Sequence, residues 1–320
     1  MRTAKGMSIM VVSATLGLAL VGSASAAPRP VEVDPGTRAD ASTAMAGEAY
    51  TYASYLAYGQ VADRTGDRRL GRLFRDTARV ELYDHFTAEA RLIGFVGGNE
   101  ENLADSIAGE EEEATVTYPA FAEQARRDNC PEVAAHFAEL AADEAVHAGR
   151  FRTALTAVTD PGSGVEVPVG ERVQQIPVEV TEPQCSGQTL ANLRATLRGE
   201  AFATAKYTLH AQQARRTGQT RLLRLWENTA WQELNEHFAG TANLAGLAGS
   251  NEENLRTSIT GETDEATVMY PTFSREAYAV GDRAAGALFR EIAYDEADHA
   301  SAFLRALVRV VTPPGAGTRT

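Results

Sequence analysis

The chain has 320 residues, with 30 Lys and Arg against 43 Asp and Glu, so its formal net charge is −13. This acidic balance excludes nucleic-acid binding proteins, because phosphate groups need a basic face. The composition is that of ordinary globular proteins, and the length suits two domains of about 150 residues each. The only two cysteines, Cys130 and Cys185, are too far apart for a Cys-x-x-Cys motif, which excludes a zinc ribbon, a rubredoxin-type iron centre and a thioredoxin site.

The N-terminus has the pattern of a secretory signal peptide. Arg2 and Lys5 precede an apolar run over 7–22, and Ala24-Ser25-Ala26 supplies a small-residue cleavage site. The run is shorter than the about 20 residues that a membrane span needs. We therefore expect residues 1–26 to be removed, leaving a secreted or otherwise extracytoplasmic chain with no membrane span and a net charge of about −15.

The mature chain contains an internal repeat with an offset of 152 residues. Residues 99–125 match residues 251–277 at 17 of 27 positions without a gap, and both segments begin with NEENL. Such self-similarity indicates a duplication, so both copies are expected to share one architecture. We also expect the two copies to pack against each other as a pseudo-dimer.

Each repeat is predicted to form four helices, because apolar residues recur at spacings of three and four. In the first repeat, helix A covers 35–65, helix B 68–95, helix C 99–127 and helix D 131–158, and the second repeat follows at the same offset. The short connections are typical of antiparallel bundles. The predicted fold class is all-α, with one four-helix bundle at 35–158 and a second at 189–312.

The segment between the repeats, residues 159–188, is predicted to be an extended linker. It is rich in Pro, Gly and Val and alternates in VEVPV and IPVEV, which favours a small strand pair. Paired cysteines are commonly bonded in an oxidising compartment. We therefore predict a disulfide between Cys130, in the turn before helix D, and Cys185, in the linker.

Acidic residues and histidines recur in both repeats at the 152-residue offset. Four of the six histidines pair in this way, and the recurring residues lie inside apolar helical stretches. The first repeat contributes Glu48, Glu81, His85, Glu110, Glu113, Glu144 and His147, and the second contributes Glu200, Glu233, His237, Glu262, Glu265, Glu296 and His299.

The spacing of these residues predicts metal binding. Residues three apart share a helix face, so Glu110 with Glu113, and Glu144 with His147, can converge in a bundle core. Buried carboxylates repel one another and lose hydration, and cations remove both costs. A Glu from each of two helices plus Glu-x-x-His from the others is the dimetal pattern of ferritin-like bundles, and the mixed ligands suit iron or manganese. We expect two metal ions per bundle.

Both repeats resemble the rubrerythrin diiron domain over essentially their whole four-helix length. The first repeat carries Gly47-Glu48 with Tyr55 seven residues later, Gly109-Glu110-x-x-Glu113 leading to Tyr118-Pro119, and Glu144-x-x-His147. The second carries the matching Gly199-Glu200 with Tyr207, then Glu262, Glu265, Tyr270-Pro271, Glu296 and His299. A second Glu on helix C separates rubrerythrins from plainer ferritin patterns. The tyrosines are equally consistent with core packing and with a role beside the metal ligands.

The resemblance implies a nonheme diiron oxidoreductase that reduces hydrogen peroxide to water. Glu81, Glu113 and their counterparts would bridge or move between the metals, while Glu48, Glu110 and Glu144 would hold them, and Tyr118 and Tyr270 would act with Glu113 and Glu265 in the reaction. An alternative is ferroxidase activity with dioxygen or peroxide, or iron sequestration. A third hypothesis is a bundle that uses metal only for folding, and the complete ligand sets in both repeats argue against it.

The chain departs from the rubrerythrin pattern in two ways, which limits how far the family's function can be assigned to it. Rubrerythrins typically carry a rubredoxin-like module with four cysteines, which this chain lacks, so electrons would come from an external donor. On helix B the family's Glu-x-x-His is replaced by Glu81-x-x-Asp84-His85 and Glu233-x-x-Glu236-His237. Regular helix geometry favours the acids Asp84 and Glu236 as ligands, whereas a π-bulge would bring in the histidines. We favour His85 and His237, because both repeats keep His while the acid varies.

Overall fold

The computed structural model describes residues 33–312, so the predicted signal peptide at 1–26 lies outside the described residues. The prediction of an all-α fold is confirmed. The helices are α1 (Pro35–Arg64), α2 (Arg68–Val80), α3 (Thr87–Ile93), α4 (Asn99–Glu112), α5 (Tyr118–Arg127), α6 (Pro131–Thr159), α7 (Gly187–Arg216), α8 (Thr220–Gln232), α9 (Ala239–Ala245), α10 (Asn251–Asp264), α11 (Tyr270–Val280) and α12 (Arg283–Val311).

Helices B and C of each repeat contain a π-helical segment. In helix B the segments are Glu81–Phe86, between α2 and α3, and Glu233–Phe238, between α8 and α9. In helix C they are Glu113–Thr117 and Glu265–Met269, each just before a Tyr-Pro pair that opens the next α-helix. Proline has no N–H to continue the α-helical hydrogen bonds, which accounts for the wider turn before Pro119 and Pro271.

Helix ends follow local capping chemistry. Asp34 accepts a hydrogen bond from the Gly36 amide at the start of α1, and Ser250 forms a capping box with Glu253 at the start of α10. The α3 helix ends at Gly94, whose φ of 63° lies in the left-handed region that glycine adopts without strain.

The bundles do not coincide with the sequence repeats, which corrects the prediction of separate bundles at 35–158 and 189–312. Helix α1 contacts α10 and α11 of the second repeat, and α7 contacts α4 and α5 of the first. Tyr55 on α1 packs against Phe303 on α12, with ring centroids 5.1 Å apart. Likewise Phe151 on α6 packs against Trp226 on α8, at 4.5 Å. Each bundle therefore combines helices A and B of one repeat with helices C and D of the other.

The connection between helices B and C carries the chain from one bundle to the other. It is short in both repeats, at 94–98 and 246–250. Because the repeats have matching helices, halves from different repeats can replace each other in a bundle, as in domain swapping between identical chains. Helices α1 and α7 also contact each other, so the two bundles touch.

The linker is an extended strap along helix B of the second repeat. Its backbone is held by side chains of that helix: Asn228 donates to the Val169 carbonyl at 2.8 Å and Trp231 donates to the Val173 carbonyl at 3.0 Å. The predicted strand pair is wrong, since within residues 33–312 the linker makes only an isolated bridge between Val180 and Ala248.

The predicted disulfide is present. It joins Cys130, just before α6, to Cys185, near the end of the linker. The bond ties the end of the strap to the first repeat. Among residues 33–312, no helix carries an apolar stretch long enough to span a membrane.

Candidate metal centres

Two clusters of buried carboxylates and histidines lie in the bundle cores, and each draws on both repeats. Site I takes its side chains from α1, α10, α12 and the π-helical segments at 81–86 and 265–269, and comprises Glu48, Glu81, His85, Glu262, Glu265, Glu296 and His299. Site II is its counterpart and comprises Glu110, Glu113, Glu144, His147, Glu200, Glu233 and His237.

In site I, two carboxylates lie between the two histidines. Glu81 Oε2 is 3.0 Å from His85 Nδ1, while its Oε1 is 3.2 Å from His299 Nδ1. Glu296 Oε1 is 2.9 Å from His85 Nδ1, and its Oε2 is 2.8 Å from His299 Nδ1. Each of these carboxylates thus faces both histidines, as bridging ligands of a metal pair do.

One further carboxylate completes each half of site I. Glu48 Oε2 lies 3.6 Å from His85 Nδ1, and Glu262 Oε2 lies 3.5 Å from His299 Nδ1. Potential ligand atoms therefore form two overlapping groups. The first is Glu48, Glu81, His85 and Glu296, and the second is Glu81, Glu262, Glu296 and His299.

Site II repeats this geometry with the roles of the repeats exchanged. Glu233 lies 2.7 Å from His237 Nδ1 through Oε2 and 3.2 Å from His147 Nδ1 through Oε1. Glu144 faces the same two nitrogens at 3.1 and 2.8 Å. Its two groups are Glu110, Glu144, His147 and Glu233, and Glu144, Glu200, Glu233 and His237. Glu113 and Glu81 were the carboxylates expected to bridge or move between the metals, with Glu144 holding them, whereas here Glu144 and Glu296 face both histidines of their sites just as Glu233 and Glu81 do.

The chemistry of both sites fits bound cations. The eight carboxylates of the four groups are at most 2% exposed. Several of their oxygens lie close to imidazole nitrogens without forming a hydrogen bond of acceptable geometry, including Oε1 of Glu81, Oε2 of Glu110 and both oxygens of Glu233. Buried polar atoms without partners are costly, and a metal ion at the centre of each group would satisfy them. Carboxylate oxygen with imidazole nitrogen is a donor set that suits iron or manganese.

The pKa values of site I residues are shifted because several ionisable groups are buried close together. Burial raises the pKa of Glu81 to about 7 and that of Glu262 to about 8. Burial opposes protonation of His299, but its contacts with Glu262, Glu296 and Glu81 raise its pKa to about 12. Without a metal, protons therefore take over part of the neutralisation that cations would provide.

The π-helical segments place His85 and His237 inside the sites. His85 is 2% exposed and its Nδ1 faces Glu48, Glu81 and Glu296, whereas Asp84 is exposed. The second ring nitrogen of each histidine, Nε2, faces a carboxylate of helix D. His85 Nε2 lies 3.5 Å from Asp295, and His237 Nε2 lies 3.4 Å from Asp143. Such outer carboxylates orient an imidazole toward a metal.

Glu113 and Glu265 lie beside the ligand groups rather than within them. A Cβ added at Gly199 would lie 3.7 Å from Glu113 Oε1, and one at Gly47 would lie 3.7 Å from Glu265 Oε1. Both carboxylates thus face helix A of the other repeat, next to Glu200 or Glu48. Burial, followed by the charge of Glu200, raises the pKa of Glu113 to about 10.

Four buried tyrosines hydrogen-bond to the predicted ligands, and each reaches across from the other repeat. Tyr55 donates to Glu262, Tyr207 to Glu110, Tyr118 to Glu200 and Tyr270 to Glu48. All four rings are also at most 4% exposed within aromatic clusters. The two alternatives for the tyrosines therefore both hold, since the rings pack in the core while the hydroxyl groups orient carboxylates.

Glu89 was not among the residues expected at the sites, and it makes the two sites different. Glu89 is fully buried, and its Oε1 accepts a 2.9 Å hydrogen bond from the Tyr270 hydroxyl in site I. Burial raises its pKa well above the ordinary value. Its counterpart Thr241 instead hydrogen-bonds to His136 at 2.7 Å. Glu89 does not recur in the repeat, so only its place on the buried face of helix B could have revealed it.

Comparison with known proteins agrees with this geometry. The family model described as "Rubrerythrin" matches residues 101–183 and 191–307, which is more than half of the chain. A rubrerythrin from Porphyromonas gingivalis is 34% identical over 136 residues, covering 38% of this chain and 68% of the relative. A nigerythrin from Nitratidesulfovibrio vulgaris is 35% identical over 140 residues, covering 40% of this chain and 69% of the relative. No solved structure gives a significant match.

The matches agree with the helices and with the residues that carry the buried clusters. The second matched segment contains all the ligand-type side chains of the second repeat, from Glu200 to His299, and the first contains Glu110, Glu144 and His147. The chain belongs to the rubrerythrin family, in a form with two tandem copies of its ferritin-like domain.

Proposed function

We propose that the protein is an exported diiron oxidoreductase that reduces hydrogen peroxide to water with electrons from an external donor. The observation that carries the proposal is the pair of buried clusters in which two carboxylates face two histidines across the repeats. Two metals held side by side suit a two-electron reaction at a peroxide bond. The reaction consumes one peroxide, two electrons and two protons and releases two waters.

The residues of each site would hold and orient the metal pair. Iron, when bound, supplies the electrons that cleave the oxygen–oxygen bond. In site I, Glu48 and His85 would bind one metal, Glu262 and His299 the other, and Glu81 with Glu296 both. The hydroxyl groups of Tyr55 and Tyr270 fix the terminal carboxylates Glu262 and Glu48.

Glu113 and Glu265 are the site carboxylates whose side chains are not fixed by hydrogen bonds in the described part of the chain, so they can move toward or away from a metal ion. Neither belongs to a ligand group, and no hydrogen bond within residues 33–312 fixes either side chain. Both lie at the edge of a site, beside Gly199 and Gly47. Either carboxylate would be able to hold a metal ion in one oxidation state of the site and stand free in the other, and with Tyr118 and Tyr270 it would carry protons toward the reacting oxygens.

The compartment and the electron donor are further parts of the proposal. The signal-peptide pattern of residues 1–26 and the disulfide between Cys130 and Cys185 both suit an oxidising compartment outside the cytoplasm. Both cysteines are used in that bond, so the chain has none to hold a rubredoxin iron. Electrons would therefore come from a separate molecule.

The test is anaerobic titration of the ferrous-loaded protein with hydrogen peroxide, followed by absorbance of the ferric product. We expect one peroxide consumed per site, ferric iron that stays bound, and repeated turnover once a chemical reductant is added. Glu81→Gln combined with Glu233→Gln, which alters a bridging carboxylate in each site at constant size, should abolish the reaction.

The same experiment distinguishes the ferroxidase alternative. A ferroxidase would oxidise ferrous iron added in excess of the sites and would release or store ferric iron, with dioxygen as effective as peroxide. Rapid oxidation by dioxygen, together with failure of a reductant to restore peroxide consumption, would overturn the proposal in favour of iron handling.

A further inference from the structure

The outer face of α12 carries an apolar stripe that nothing in the described chain covers. Tyr294, Leu304, Val308 and Val311 are 68%, 52%, 57% and 46% exposed. With the exposed Ala297 and Ser301 they recur at alternating spacings of three and four. The α12 seam is defined here as Tyr294, Ala297, Ser301, Leu304, Val308 and Val311. This is the a/d pattern by which two helices pack as a coiled coil.

The matching face of α6 shows that the fold does not require this stripe. The counterparts of the seam at the 152-residue offset are Ala142, Ala145, Gly149, Arg152, Thr156 and Thr159. Both helices hold equivalent metal-site residues, Glu144 and His147 on α6 and Glu296 and His299 on α12. At the seam positions, large apolar side chains therefore occur on α12 and not on α6. Contiguous exposed apolar surface of this kind marks an interaction site.

Charges beside the seam indicate what covers it. Asp298 follows Ala297, and Arg305 follows Leu304. Both are exposed, and neither forms an ion pair with any group in residues 33–312. When two α12 helices pack antiparallel, with Ser301 of each copy against Leu304 of the other, Asp298 lies beside Arg305 of the second copy. The two-fold axis repeats this pairing, which gives two complementary ion pairs.

We propose that the protein forms a homodimer through antiparallel packing of its α12 seams. The contact spans about 26 Å of helix, from Tyr294 to Val311, at 1.5 Å per residue. Tyr294 and Val311 meet at both ends, and the small residues Ala297 and Ser301 let the helices approach closely at the middle. The α6 face takes no part, so association stops at two copies.

Light scattering coupled to size-exclusion chromatography of the iron-loaded protein tests the proposal. The wild-type chain should elute with twice the mass of one chain. Leu304→Glu with Val308→Glu should halve that mass, because buried charge in the seam opposes packing. Both positions are exposed in the single chain, so helical circular dichroism and iron content should not change. Thr156→Glu, at the α6 counterpart of Val308, is the matched control and should remain a dimer.

Charge exchange tests the antiparallel register. Arg305→Asp alone places like charges together twice in the dimer and should raise its dissociation constant by roughly fivefold. Adding Asp298→Arg restores opposite charges and should return the constant to the wild-type value. A wild-type mass of one chain, a dimer that persists in the Leu304→Glu/Val308→Glu variant, or no rescue by the second exchange would overturn the proposal.

Discussion

Glu81 of the first repeat lies 3.2 Å from His299 of the second, Oε1 to Nδ1. The same carboxylate lies 3.0 Å from His85 of its own repeat. A single side chain thus joins the two halves of a site that are distant in sequence. Metal binding and the association of the two repeats are consequently coupled, since neither repeat alone can assemble either of these sites as the folded chain builds them.

Paired substitutions distinguish crossed sites from one site per repeat. Glu81→Ala with Glu296→Ala removes both bridging carboxylates of site I, so about two irons per chain should remain in site II. Glu81→Ala with Glu144→Ala removes one bridge from each site and should leave almost none. Both variants lose two carboxylates, so each controls for the other. Iron analysis that gave the reverse order would mean that each repeat holds its own site.

The choice between histidine and acid on helix B can be tested in the same way. Nδ1 of His85 and of His237 faces the carboxylates, while Asp84 is exposed and the half-buried Glu236 lies near His237 with Asp143 rather than in a ligand group of site II. His85→Ala with His237→Ala should therefore weaken iron binding at both sites. Asp84→Ala with Glu236→Ala should keep near wild-type iron content. The measurements are iron content and the absorbance of the ferric protein. If only the acid pair mattered, our assignment of the ligands would be wrong.

The disulfide should contribute to global stability. The bond between Cys130 and Cys185 closes a loop with a sequence separation of 55 residues and holds the strap in place. Cys130→Ser with Cys185→Ser should lower the free energy of unfolding by about 2–4 kcal/mol, mainly because the unfolded chain gains freedom. Urea denaturation checks this. The disulfide itself would be refuted by two titratable thiols in the denatured protein without reductant.

His210 should make the protein sensitive to acid. Burial between Tyr207 and Trp226 lowers the pKa of His210 to about 3, whereas the unfolded value is about 6.5. Between these values the unfolded state binds the proton and the folded state does not, so stability is lost as pH falls below about 6.5. His210→Tyr, which copies Tyr58 of the first repeat, removes this penalty.

Urea unfolding of both proteins at pH 7 and pH 5 measures the effect. The wild-type protein should lose about 2 kcal/mol more than His210→Tyr over this interval, since other titrating groups contribute equally to both. The converse exchange, Tyr58→His, should introduce the same pH dependence in the first repeat. Identical losses in all three proteins would show that His210 is accessible to protons in the folded state.

The helices can be predicted from the sequence because apolar spacing and helix-end residues are local features of the chain. The sequence predicts helix C at 99–127, and in the structure it begins at Asn99 and ends at Arg127. Helix D, predicted at 131–158, covers Pro131–Thr159. The ligand-type residues could be found because spacings of three and four fix a shared helix face whatever the tertiary arrangement. The duplication then separated recurring carboxylates from ordinary surface acids.

For two site residues the sequence alone is ambiguous, and the backbone conformation settles which side chain enters the site. Asp84 and His85 both satisfy helical spacing from Glu81, and only the π-helical turn rotates His85 inward. Glu89 does not recur in the second repeat, so the duplication does not mark it as a site residue. Its burial and its hydrogen bond from Tyr270 depend on a helix from the far end of the chain.

Residue patterns along the chain suffice to predict an all-α protein with two copies of one domain and two sets of candidate metal-ligand residues. How those sets combine follows from the way the helices pack. Helices A and B present the same residue types in both repeats, and so do helices C and D, so pairing within a repeat and pairing across repeats offer almost the same contacts. In this structure the connections at 94–98 and 246–250 each lead from one bundle into the other, so the pairing is across the repeats. Chain geometry, rather than local residue chemistry, places Glu81 beside His299.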